Sequence, residues 1–97
     1  MSMAQAAQNW LDAQEPGRLL IAREILARRE ETRLNPGRNE LQRAARRYDH
    51  GVIDGLRRAL SFVSDRPGDI SDTGAEGFIQ NVRSADEMLA EAKQAEG

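Results

Sequence analysis

The chain is expected to be all-α, a small helical bundle with one short N-terminal helix and three longer amphipathic helices. Three observations predict this. Apolar residues recur at steps of three and four, and no apolar run of period two appears. The three prolines, each followed by glycine at Pro16-Gly17, Pro36-Gly37 and Pro67-Gly68, cut the chain into four segments. Proline lacks an amide hydrogen and restrains the residue before it, so each pair marks a turn. The expected helices cover about 4–14, 18–34, 37–64 and 74–95, with a loop over 65–73, all in one domain. Two of the turns read Pro-Gly-Arg, but the likeness fails within two turns of helix and is not a repeat.

A chain of 97 residues buries roughly 60 to 70 per cent of its unfolded surface, enough for a domain of modest stability or one that completes its core in an oligomer. With no cysteine, neither a disulfide framework nor a thiolate zinc site is available. No apolar run approaches ~18 residues, and Met1 to Ala7 has neither a basic start nor an apolar stretch. The expectation is a cytoplasmic protein without a membrane partner, or a virion component if it is a phage structural part. Arginine outnumbers lysine 13 to 1 and alanine is abundant, a coding bias of GC-rich genomes that points to a bacterium or its phage.

The net charge of −2 conceals a division. Arg18 to Arg66 holds twelve arginines against seven acids, whereas Pro67 to Gly97 holds two basic residues against seven acids. Such asymmetry fits a nucleic-acid surface with an acidic tail, or two halves that neutralise each other within or between subunits. The second reading is favoured.

The first segment places Met3, Ala6, Ala7, Trp10 and Leu11 on one side of a short helix and Gln5, Gln8, Asn9 and Asp12 on the other. At three turns it needs docking to be stable. Trp10 either pins that helix to the core, the favoured reading, or serves as a contact for a partner, a role in which tryptophan is enriched.

The second segment starts at Glu15-Pro16, with proline at a first helical position. Leu19, Leu20, Ile21, Ala22, Ile25, Leu26 and Ala27 make its first half apolar almost all round, while its second half is the mixed run from Arg28 to Arg33. The first half should be buried and the second should project outward, making Arg28, Arg29 and Arg33 candidate partner contacts.

The third segment, Arg38 to Ser64, carries the longest amphipathic pattern, and Asn35-Pro36 offers it a cap and a start. Leu41, Ala45, Tyr48, Val52, Leu56, Ala59 and Val63 hold one face, widened by Ala44, Ile53, Leu60 and Phe62. This is expected to be the core helix against which the others pack. Its opposite face carries Arg43, Arg46, Arg47, His50, Asp54, Arg57 and Arg58.

Gly51 and Gly55 lie inside that helix, each costing up to ~1 kcal/mol relative to alanine. A helix-turn-helix elbow at Gly51 would bury Arg46, Arg47 and Arg57 without partners, which is prohibitive. The favoured reading is a continuous helix in which Ala44, Gly51, Gly55 and Ala59 form a small-residue strip for close packing against another helix, of this chain or of a second copy. Arg43, Arg46, Arg47, Arg57 and Arg58 are the candidate phosphate contacts. Asp54 interrupts their face, and no aromatic residues are interleaved to stack on bases.

Asp72-Thr73-Gly74-Ala75 matches the signature of retroviral-type aspartic proteases, but the apolar strand that should precede it is missing. Asp69, Ser71, Thr73 and Gly74 match the opening of a calcium loop, which then fails at Glu76 and Gln80. The plainer reading is a helix start, with Thr73 and Glu76 spaced as a capping box and a second such pair at Ser84 and Glu87 marking a further break near Arg83. The last segment aligns Phe78, Val82, Ala85, Leu89 and Ala92, with Ile79 at the margin, and Glu76, Asp86, Glu87 and Glu91 are placed to meet arginines of the central helix or of a neighbouring subunit.

One histidine, no thiol, no glycine-rich phosphate loop and no paired metal ligands give enzyme chemistry and cofactors no support. The functional expectation is a non-enzymatic assembly, adaptor or regulatory protein working through helix–helix contacts with a protein partner or with itself. The alternatives are an arginine-rich nucleic-acid binder and a phage virion or secretion-apparatus subunit.

Overall fold

The computed structural model describes residues 2–62 and 72–96. Four helices account for nearly all of them: α1 (Met3–Asp12), α2 (Pro16–Leu34), α3 (Glu40–Phe62) and α4 (Asp72–Glu96). The fold is all-α. The expected loop over 65–73 lies almost wholly outside the described residues, as do Val63 and the start of the calcium-loop motif.

Local chemistry sets the helix ends. The Ser2 hydroxyl accepts the Gln5 amide at 3.1 Å, capping α1, and Gln14 Nε2 donates to the Trp10 carbonyl at 2.9 Å where α1 ends. Pro16 opens α2, as its missing amide allows. The next turn differs from expectation. Gly37 sits in the left-handed region (φ 63°), and the Asn35 side chain accepts from the Gly37 amide and donates to the Gln42 carbonyl. The chain therefore enters α3 only at Glu40, where Asn39 Oδ1 accepts the Gln42 amide at 2.8 Å as the true cap. α3 then runs unbroken through Gly51, which excludes the helix-turn-helix elbow, and α4 runs unbroken through Arg83.

Burial centres on α4, not on α3. Ala75, Phe78, Ile79, Val82 and Ala85 of α4 are buried, joined by Ala7 and Leu11 of α1, Ala22 and Ile25 of α2, and Ile53 and Leu60 of α3. α4 packs on each of the other three helices, and α2 also packs on α3. The Phe78 ring lies 5.8 Å from that of Trp10, tilted by 44°, while the Arg18 guanidinium covers it at 4.4 Å.

The central helix meets its neighbours differently from expectation. Its inward line is Asp49, Ile53, Leu60 and Ser61, with the partly buried Arg46 and Arg57 beside it. Of the expected apolar stripe, Val52, Leu56 and Ala59 are half-buried and Leu41, Ala44, Ala45 and Tyr48 are exposed. Long arginine stems can lie along apolar surface, and Asp49 gains an ion pair with Arg28 that Tyr48 could not make. These terms turn α3 by about one residue position, bringing its Asp49 line inward.

The molecule is correspondingly open. Its radius of gyration is 15.6 Å and its extents are 50 × 41 × 18 Å, against a radius of about 12.5 Å for a compact chain of this length. Its accessible surface is 6826 Å², against about 5,500 Å² expected for its mass.

Candidate functional site: the outward face of the third helix

Leu41, Ala45, Tyr48, Val52, Gly55, Ala59 and Phe62 follow one another at alternating steps of four and three, with no charged residue among them. This spacing of 3.5 residues makes a narrow seam of the kind that a second helix covers. Leu41 is 81%, Tyr48 65% and Phe62 77% exposed. Polar side chains beside the seam are tied up locally: Glu40 receives both Arg43 (3.2 Å) and Arg47 (3.4 Å).

Gly51 and Gly55 belong to this outward side, and a methyl group built on either would meet nothing within 4 Å. The close packing expected of them is therefore not against α2 or any other helix of the same chain. Gly37 is the glycine under pressure, since a Cβ there would stand 3.0 Å from the Arg46 guanidinium.

The arginines expected as exposed contacts are mostly spent within the chain. Arg28 bonds Glu24 at 3.0 Å and the largely buried Asp49 at 3.3 Å, joining α2 to α3. Arg29 grips Glu76 of α4 with two hydrogen bonds, 2.9 and 2.7 Å, in the bidentate geometry that suits guanidinium and carboxylate. Only Arg33 projects fully, and it is paired with Glu30 one turn back. Trp10 is half-buried; beyond its contact with Phe78 it lines a shallow apolar groove of about 400 Å³ with Met3, Ala6, Ser84 and Met88.

Nor do the five candidate phosphate contacts form one surface. Arg43 and Arg47 share Glu40, and Arg46 is tucked under the Gly37 turn. Arg57 lies 3.9 Å from Glu76 and is 28% exposed; Arg58 is exposed two turns or more from the first three. The acidic helix does meet arginines, but chiefly those of α2, through Arg23–Asp86 (3.0 Å) and Arg29–Glu76; Glu87 pairs with Arg83 of its own helix. These α2–α4 pairs were not legible in the sequence, where every acid had several equivalent partners.

Two of these pairs give predictions. Arg28→Ala leaves the Asp49 carboxylate without its guanidinium, and the expected loss is about 1–3 kcal/mol of unfolding free energy, measured by urea denaturation. Glu76 is held below its ordinary value of 4.5, first by the Arg29 hydrogen bonds and then by Gln80 and the charges of Arg29 and Arg57, against the opposing effect of burial. A carboxyl that is more acidic folded than unfolded stabilises the fold above its unfolded pKa and loses that contribution as the pH falls through the folded value. Stability should therefore fall on acidification below about pH 4.5, and Arg29→Ala should flatten that part of the melting-temperature profile.

Among the described residues, no group of three or more histidine, aspartate or glutamate side chains is arranged to hold a metal ion, and no helix is long and apolar enough to cross a membrane. No family model, curated protein or solved structure matches this chain.

Proposed function

We propose that the chain is a non-enzymatic assembly or adaptor protein that acts by helix–helix contact, and that the outward face of α3 is its contact surface. One observation carries this reading: Leu41, Tyr48 and Phe62 stand in one seam of α3, each about two-thirds exposed or more. Single exposed apolar residues are ordinary, but a periodic seam of them along a 23-residue helix is a contact surface left open. Gly55 within the seam and Gly51 beside it, both open, let another backbone come near.

A photo-activated benzophenone residue placed at Tyr48 tests the proposal in the chain's native cells, with the same residue at Asp54, outside the seam, as control. Adducts at Tyr48 that are absent from the control support the reading. Equal labelling at the two positions, or none at Tyr48, sinks it.

A further inference from the structure

Resting on that reading, we infer that the occupant of the α3 face is a second copy of this chain, its α3 laid antiparallel across a two-fold axis between Ile53 and Asp54. Side-chain volume sets the orientation. Large and small residues alternate along the seam, and the antiparallel register matches them. Phe62 faces Ala45 of the other copy, Tyr48 faces Ala59, and Val52 faces Gly55, so each of these three bulky side chains meets a small one, while Leu41 lies beyond the end of the partner's α3. A parallel pairing stacks Phe62 on Phe62 and Tyr48 on Tyr48 while leaving Gly55 opposite Gly55. Such a pair would be held apart by its aromatics and hollow between them.

The flanks agree. On the glycine side of the seam the bordering residues are Ala44, Gly51 and Arg58, so the two-fold sets Arg58 against the small residues of its partner and brings no like charges together there. The open glycine positions lie where the partner backbone would come closest, which accounts for glycine at two sites where the single chain has room for a side chain. A symmetric contact of this kind uses one patch twice and closes as a dimer.

The test uses the full chain at its highest soluble concentration. Light scattering should give twice 10.8 kDa for the natural sequence and 10.8 kDa for Tyr48→Arg and Gly55→Leu, with the helical circular dichroism of all three alike. Because the chain has no cysteine, single spin labels can be placed at Arg43→Cys or Asp54→Cys. In the antiparallel pair the two labels at 43 stand about 30 Å apart along the axis and those at 54 nearly level, from a rise of ~1.5 Å per residue. A monomer, a dimer that survives Tyr48→Arg, or labels at 43 lying side by side each overturns the inference. The Tyr48 adduct separates this failure from that of the parent reading: an adduct with a different protein, alongside a monomeric mass, removes the self-pairing and keeps the contact surface.

Discussion

Ile79→Ala should cost about 2–5 kcal/mol of unfolding free energy and leave the chain largely unfolded at moderate temperature. Ile79 is fully buried on α4, the one helix that packs on all the others, beside the buried Val82 and beside Phe78, which meets Trp10 of α1 and Arg18 of α2. Removing three carbons there opens a cavity where rigid helices meet, and collapse around it is limited. Equilibrium urea unfolding followed by circular dichroism reads the loss. A midpoint shift equal to that of a surface alanine would show that the core does not centre on α4.

The second large effect is on association rather than folding. A chain carrying Leu41→Gln, Tyr48→Gln and Phe62→Gln should keep its helical content and monomeric stability within about 1 kcal/mol, because these side chains are exposed and touch little of their own chain. The same three changes should abolish contact through α3, read as loss of the higher-mass species at every concentration. If the triple variant instead fails to fold, the face belongs to an internal core and the proposed contact surface is wrong.

The sequence made the helical class, the two proline turns that lie within the described residues and most of the core residues of α1 and α4 readable, because these rest on local rules: periodicity, capping and proline chemistry. It also made the apolar stripe of α3 visible but assigned all of it to the core, whereas Ile53, Leu56 and Leu60 pack inward and Leu41, Ala45, Tyr48 and Phe62 are exposed. A stripe such as Leu41, Ala45, Tyr48 and Val52 says that a helix has an apolar face, not whether its cover comes from the same chain. Two signals bore on that question. The spacing is a strict 3.5 residues, a coiled-coil seam rather than the wider face of a globular core helix, and Ile53 and Leu60, seven apart, mark a second line one position round. The pairings Arg28–Asp49, Arg29–Glu76 and Arg23–Asp86 were beyond reach, since they depend on the tertiary arrangement of α2, α3 and α4. So was the fate of the arginine face, where Arg46 and Arg57 turn partly inward and the rest are split between the two ends of α3.

The seam also gives meaning to the glycines. In a single chain Gly51 and Gly55 are unexplained costs to α3, and replacing either with alanine would stabilise the helix by roughly 0.5–1 kcal/mol. In a pair of helices they are where the backbones meet.

The most direct measurement is the thermal midpoint of the natural sequence across a hundredfold range of protein concentration, beside that of the triple glutamine variant. Because pairing acts on the folded state alone, it requires a midpoint that climbs with concentration for the natural chain and stays level for the variant. A natural chain whose midpoint is flat throughout, and equal to that of the variant, would contradict it.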